Sequence, residues 1–406
     1  MTVAAGQVAH ADVVLQVEAR NEVVTVRGER ERGEVEALNV GRTADNIVQV
    51  LPAEVITSLP NTNIADAVGR LPSVSLERDE GEGKYIQIRG TEPRLSNVTI
   101  NGIHMPSPEN VRNVKLDVIP SDLVESIEVN ETLSANQDAD AVGGSVNLVT
   151  KSAADQPLLT VLGMGGYTPI AGGRRPDQFA GTFGNRFGEH KRFGLMLGGS
   201  YDFSARGIDD IEPGQGVNTT ADGTFVSLGP NAIDLRQYHY DRTRYGFGGG
   251  LDYRLGDMSS VYLRGLFSRF HDYGQDWIYS PSISNFITNP ADPNNTCGIT
   301  TVNGPTGCGG VGFDDVYRRP TQQLFSVQAG ARHSIGTTLL NYEVALSQAN
   351  ATGGYPRASS DGPGSVAFGV DTSRPFMPKF PVPNGQHLRS DPIHAEQSQF
   401  SERQYF

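Results

Sequence analysis

Few side chains in this sequence stand at spacings that do covalent chemistry. No serine sits in a Gly-x-Ser-x-Gly elbow, so the strained nucleophile turn of the hydrolases is absent. The eight histidines include no His-Glu-x-x-His and no His-x-x-x-His pair, which removes the usual helical zinc site. Gly81-Glu82-Gly83 is not a dinucleotide fingerprint, because no long helix follows it. The acidic pairs Glu80/Glu82 and Asp138/Asp140 offer oxygen ligands to a cation, or are plain loop carboxylates. Cys297 and Cys308 stand in a Gly/Asn/Pro/Thr-rich stretch with no further Cys or His nearby. That spacing is wrong for zinc and suits a loop-clamping disulfide in an oxidising compartment, with two unrelated thiols as the plainer alternative. An enzyme is not expected, nor is a cofactor.

The residues that remain are better suited to recognition and mechanics. Arg89 in Ile88-Arg89-Gly90 puts a cation on a strand, where it would pair with carboxylates or stand as a surface arginine. Asn101-Gly102 follows Val98-Thr99-Ile100, the strongest short hairpin signal. That turn and His104 beyond it form either an apical loop near a ligand or a hairpin with no ligand contact. Gly143 and Gly144 permit positive φ or close backbone approach. Tyr273, Trp277 and Tyr279 cluster in a region read here as a long loop. They either stack on a ligand's rings or belong to the interfacial aromatic girdle of a membrane barrel.

Composition sets the frame that must hold these groups. The 406 residues are only 37% hydrophobic, yet include 48 glycines, 17 phenylalanines and 14 tyrosines, which suits β-structure. A net charge of −13 argues against a general nucleic-acid binder. No run approaches the ~18 apolar residues of a membrane helix. That leaves open a β-barrel, whose strands carry a weaker signal. Near the N-terminus, Ala9-His10-Ala11 has the small-x-small form of a cleavage site, although no complete signal peptide surrounds it.

Two patterns follow along the chain. Between residues 51 and 152 the signals are short and mixed. Thr62 and Asn63 are helix-start residues, Ile64, Ala67, Val68 and Leu71 share one helical face, and Pro72 stops the helix. Several short strands accompany it, which predicts a compact α+β unit. From residue 153 onward the pattern is long two-faced strands. Phe193, Leu195, Leu197, Tyr201 and Phe203 oppose Arg192, Gly194, Ser200 and Asp202. Tyr245, Phe247, Leu251 and Tyr253 oppose Arg242, Arg244, Gly246 and Gly248. Tight connections near 188–191, 256–258 and 335–337 alternate with long ones near 204–238, 273–320 and 352–395. Short turns at one end and long loops at the other predict an antiparallel transmembrane barrel. Strands are expected near 158–166, 178–187, 191–203, 240–255, 259–272, 321–335, 337–350 and 396–406, about eight in all.

Asn61 to Ala67, Leu71-Pro72-Ser73-Val74, Arg78 to Gly83, Ile86 to Gly90, Val98 to Gly102, Ile127-Glu128-Val129 and Asp140 to Asn147 together resemble the TonB-dependent outer-membrane receptors, in particular the Xanthomonas–Caulobacter type. Ser73 stands where that family usually has Gly. The resemblance covers residues 22–151 closely and the barrel in general style. It implies a TonB box at residues 22–28, with Glu22, Val23, Val24, Thr25 and Val26 contacting TonB. The stretch Asp12 to Val17 is a competing patch. It also implies an N-terminal extension over 1–21, a tether over 29–50, a plug over 51–152 and a partial barrel over 153–406. By composition the charge-rich residues 29–46 read as a tether or a solvated helix.

The implied function is capture of an extracellular ligand, such as an oligosaccharide or a ferric siderophore, and its import across the bacterial outer membrane with energy transmitted by TonB. Outer-membrane lipid is the other implied partner. Alternatives of the same fold are a signal-transducing receptor and a non-energised porin or adhesin. About eight strands enclose only their own side chains, whereas a plug of ~100 residues needs a wall nearer the ~22 strands of plugged transporters. The barrel is therefore expected to be incomplete.

Overall fold

The computed structural model describes residues 34–58, 63–135, 137–169, 174–256, 258–361, 365–374 and 378–382. Residues 1–33, which contain the expected TonB box, lie outside the described residues, as do Thr62 and the strand expected near 396–406.

The first unit is a small α+β domain. Helix α1 (Glu34–Thr43) leads into β1 (Val48–Pro52) and α2 (Ala53–Ser58), and α3 spans Ile64–Val68. Asn63 caps α3 by accepting a 2.9 Å hydrogen bond from the Asp66 amide. Ile64, Ala65, Ala67 and Val68 are buried, so the apolar face read from the sequence is the packed one. A hairpin of β2 (Val74–Asp79) and β3 (Glu82–Ile88) follows, then β4 (Ser96–Ile100), β5 (Ile103–His104), β6 (Val124–Asn130) and β7 (Gly144–Thr150). Five of these strands form a sheet in the order β1-β6-β7-β4-β5, with β4 and β7 parallel and the other pairs antiparallel. The core joins Ile56, Ile64, Ile86, Ile88, Val98, Leu116, Ile127, Val146 and Leu148. Burying each such side chain stabilises the unit by about 1.5–3 kcal/mol.

One boundary is corrected here. The charge-rich residues 29–46, read as a tether or a solvated helix, contain α1, but the start of β1 lies before residue 51. The plug sheet begins at Val48, where β1 pairs in register with β6 from Val48↔Asn130 to Pro52↔Ser126.

The second unit is an antiparallel wall. Its strands are β8 (Leu158–Gly165), β9 (Asp177–Phe187), β10 (Phe193–Thr219), β11 (Phe225–Gly256), β12 (Ser259–Phe286), β13 (Thr306–Arg318), β14 (Thr321–Ile335), β15 (Thr338–Thr352), β16 (Arg357–Asp361) and β17 (Val366–Gly369). The path through the wall is β15-β14-β12-β11-β10-β9-β8, while β13 branches off β12 and itself pairs with β16 and β17. Among the described residues the path does not close, and β8 and β15 are its free edges. No described helix is long and apolar enough to cross a membrane.

The outer face of the wall is apolar. Leu197 sits opposite Phe183, Tyr201 opposite Phe179, Leu251 opposite Leu263 and Tyr253 opposite Val261. These side chains are exposed, as a lipid-facing band requires. The inner face is glycine-rich where the first unit approaches. A Cβ built on Gly246 would lie 2.7 Å from the Leu123 side chain and 3.0 Å from the Phe267 carbonyl oxygen. The glycines therefore let the plug touch the wall backbone.

The long loops expected over 204–238 and 273–320 are mostly strand. β10 and β11 continue as one hairpin to a turn at residues 220–224, and β12 runs on to Phe286 before β13 returns. Beyond a bilayer both faces of a strand meet polar surroundings, so the one-sided apolar pattern that reveals a membrane strand disappears. The tight connections lie where the sequence places them, with Gly188 at φ +80 and Gly336 at φ +60.

Gly246→Val should unseat the plug, because overpacking against Leu123 and a fixed carbonyl costs about 1–3 kcal/mol. Limited proteolysis should then cleave within residues 34–152 faster than in the parent. Unchanged protection would contradict the close-approach reading.

Candidate functional site

The densest concentration of charge lies where the first unit meets the wall. The turn between β2 and β3 carries Asp79, Glu80 and Glu82, and Gly81 at φ +84 makes the reversal possible. Three carboxylates within four residues repel one another and need cations. The wall supplies four arginines. Arg242 and Arg244 stand on β11 at alternate positions, so both point to the same inner face. Arg206 comes from β10 and Arg318 from the end of β13.

Glu82 is the centre of the cluster, with its side chain 1% exposed. It is contacted by Arg244, by Arg242 at 3.2 Å and by Arg206 at 2.8 Å. Arg244 also reaches Asp202 at 2.7 Å and donates from Nε to the Asp117 carbonyl oxygen at 2.5 Å. Arg242 donates from Nε to Asp272 at 2.8 Å, and through its other nitrogens to Glu80 and to the Asp79 carbonyl oxygen. Arg318 donates to Glu80 at 2.9 Å, Asp79 at 3.2 Å and Asp272 at 3.0 Å. Tyr240 donates to Glu80 at 2.9 Å and lies beneath the guanidinium groups of Arg242 and Arg318. Arg242 and Arg244 are wholly buried, and Arg244 rests on the Phe270 ring.

The electrostatics divide the carboxylates. Burial pushes Glu82 upward, but Arg244, Arg242 and Arg206 outweigh it and hold its pKa at about 2. Glu80 is raised, chiefly by burial, with Arg318 opposing. Asp117 is raised to about 6 by complete burial, against the pull of Lys115 and Arg244. Among the described residues neither Asp117 carboxylate oxygen has a hydrogen-bond partner, and Lys115 Nζ stands 3.6 Å away. No described group of three or more His, Cys, Asp or Glu is arranged to hold a metal. The acidic turn is thus occupied by arginine rather than shaped for a cation ligand.

The residues singled out from sequence fall elsewhere. Arg89 is exposed at φ +54 and donates to the Gly143 carbonyl oxygen at 3.4 Å. No carboxylate partner to it is recorded among the described residues. The carboxylate pairing expected of Arg89 belongs instead to the wall arginines. Gly90 has φ +72, and Gly144 has φ +132 with the Asn130 carbonyl oxygen 2.7 Å from where a Cβ would be. A Cβ on Gly143 would meet Thr91 Oγ1 at 2.4 Å.

Asn101 and Gly102 form the β4–β5 turn with φ +51 and +85, and Asn101 bonds Thr150 through its side chain. Thr150 ends β7, where the chain leaves for the short-turn end of the wall. The hairpin read from Asn101-Gly102 is therefore present, with His104 exposed on β5.

Tyr273, Trp277 and Tyr279 lie on β12 rather than in a loop, at positions alternating with the inner residues Asp272, Asp276 and Ile278. Tyr273 touches His271, Trp277 packs edge-on against His239, and Tyr279 packs against Phe313. They face away from the arginine cluster. Cys297 and Cys308 are bonded to each other. The arginines were the residues missed. Their signal was Arg-x-Arg on the polar face of β11, just before Gly246, Gly248 and Gly250 on the same face.

With this geometry in hand, residues 41–145 match the family model "TonB-dependent Receptor Plug Domain". The first unit is therefore a TonB-dependent receptor plug domain, followed by the antiparallel strands of a partial β-barrel. Plug domains of this family are parts of receptors and not enzymes. Among solved structures the chain is similar to the siderophore receptor PirA of Acinetobacter baumannii, at 13% identity over 76% of this chain and 61% of that one, with a TM-score of 0.34. It is similar also to the ferric citrate transporter FecA in its unliganded form, at 16% identity over 80% and 64%, with a TM-score of 0.35. The ferric preacinetobactin receptor BauA of Acinetobacter baumannii matches at 15% identity over 83% and 53%, with a TM-score of 0.35. The chain spans less than two thirds of the length of each of these structures.

Two outcomes test the cluster. Arg244→Met should cost about 3–5 kcal/mol of plug–wall stability, because Glu82 and Asp202 stay buried with less compensation. Adding Glu82→Gln should recover part of that loss in a double-mutant cycle, and strict additivity would refute direct pairing. The second outcome concerns Asp117. Its raised pKa means its contribution is fully present below about pH 4 and lost as pH rises through about 6. Asp117→Asn should therefore stabilise the protein at pH 8 by on the order of 2–3 kcal/mol and leave it nearly unchanged at pH 4. Equal effects at both pH values, read by denaturant unfolding, would refute the assignment.

Proposed function

We propose that this chain is the plug and first part of the barrel of a TonB-dependent outer-membrane receptor of the Xanthomonas–Caulobacter type. In this reading the long-hairpin end of the wall faces outside the cell and the short-turn end faces the periplasm. The receptor captures an extracellular ligand and imports it when TonB pulls on the segment before the plug. The observation that carries the reading is a plug-family domain held against an outward-apolar, antiparallel wall by a buried ion-pair cluster. An interface of charge against charge suits a plug that must sit firmly yet separate from its wall. Burying such pairs brings little net gain over apolar contact, while their removal from one partner only is costly.

The wall must be continued by further strands to work as a barrel. Among the described residues both β8 and β15 leave a row of backbone groups unpaired, which hydrocarbon does not tolerate. The apolar outer face supports outer-membrane lipid as one partner. For the ligand, an oligosaccharide is the preferred class and a ferric siderophore the second. A plug that fills the lumen disfavours a passive porin.

TonB is proposed to pair with Glu22, Val23, Val24, Thr25 and Val26 as an added strand, since a β-branched run in extended form can extend a sheet edge. Within a complete receptor, Val24→Pro should abolish energised uptake while ligand binding persists, because proline removes a ladder donor. Uptake at the parent rate in cells carrying that variant would sink the assignment.

A further inference from the structure

Of the four arginines that hold the acidic turn, three come from β10 and β11, strands of the continuous wall. Arg318 does not. It ends β13, which lies off the wall path and pairs with β12 only from Gly274 to Phe286, beyond the membrane band.

β13 is the spine of a small cap above the wall. Its outer edge pairs with β16 and β17. Val311 packs with Ile283, Phe286, Val366 and Phe368 in one apolar cluster. Cys308 packs with Ile287, Ile299 and Ala367 in another and is bonded to Cys297. The same strand then reaches Arg318, ten residues and about 34 Å beyond Cys308 at ~3.4 Å per residue. One unbroken strand therefore joins the disulfide-bonded cap to the plug's acidic turn.

The guanidinium of Arg318 has no slack at that point. It bridges plug residues Asp79 and Glu80 to the wall residue Asp272, and Tyr240 accepts a further bond from it at 3.0 Å. Tyr355, in the segment before β16, covers its other side. If β13 shifts, these contacts are lost together. Glu80 would keep Arg242 and Tyr240, and Glu82 would keep Arg242, Arg244 and Arg206. The turn would loosen without the plug being released.

We propose that Arg318 is a positioning residue through which the plug senses the state of the cap. Displacement of β13 withdraws Arg318 from Asp79, Glu80 and Asp272 and loosens the turn at residues 79–82, while the wall arginines keep the plug seated. The proposal goes beyond the transport reading and does not depend on the ligand's identity.

The test perturbs the cap without a ligand and reads the plug. A complete receptor that carries this chain, disulfide-intact and in detergent, is followed by hydrogen–deuterium exchange, before and after reduction of Cys297–Cys308, and separately with Phe368→Ala at the centre of the cap. In the parent, both perturbations should speed exchange over residues 287–305 and also at the turn 79–82, the latter at least about tenfold. In Arg318→Met the turn should already exchange fast and respond no further, while 287–305 still responds. Arg318→Lys, which keeps the charge but not the planar fork, should restore slow basal exchange only in part. A parent turn that ignores a loosened cap would overturn the proposal, as would an Arg318→Met turn that responds like the parent. Cap amides that stay slow under both perturbations would overturn it too, since a cap that does not yield has nothing to transmit.

Discussion

The structure depends on a carboxylate that cannot be left alone. Glu82 is almost fully buried between plug and wall, and three arginines share it. An ionised carboxylate in that position is affordable only with charge and hydrogen bonds around it. The surrounding geometry follows from this demand. Gly81 turns the chain so that Asp79, Glu80 and Glu82 face the wall together. The two-residue period of β11 puts Arg242 and Arg244 on the same side. Asp202 and Asp272, on the neighbouring strands, accept the arginine nitrogens that the plug does not.

Such a cluster fixes register better than it adds stability. Apolar contact of the same area would hold the plug at least as well, but would tolerate sliding. A plug shifted by one residue along the wall would leave several buried guanidinium groups without partners. The apolar part of the same interface packs Leu266, Phe270 and Leu324 of the wall into the plug's core. Leu123 reaches the wall where Gly198, Gly246 and Gly248 expose backbone. Glycine thus sets the distance between plug and wall, and arginine sets their alignment.

The wall itself is built for two environments. Within the membrane band its outer side chains are large and apolar, while its inner face mixes glycines and charged groups with a few buried apolar residues such as Leu266, Phe270 and Leu324. Above that band the strands continue without the distinction. There they carry the cap, whose own small cores and disulfide hold it together independently of lipid. The cap and the plug meet at Arg318, so the two elements share one hydrogen-bond network.

Local signals in the sequence were enough for the parts whose physics is local. Asn63 as a helix cap, Asn101-Gly102 as a hairpin turn and the tight connections at Gly188 and Gly336 depend on a few neighbouring residues. The alternating faces of β10, β11, β12 and β15 depend only on the pleat and on lipid. By itself the sequence therefore determined a compact α+β unit followed by membrane-type strands. It did not reveal where strands end beyond the bilayer, because one-sided apolarity vanishes there. Nor did it reveal that β1 belongs to the plug sheet, since its pairing with β6 joins residues 48–52 to residues 126–130. Above all, it did not single out Arg206, Arg242, Arg244 and Arg318, which are up to 112 residues apart in the chain. Only the folding of plug against wall brings them to Asp79, Glu80 and Glu82, because a buried charge finds its partner through space and not along the sequence.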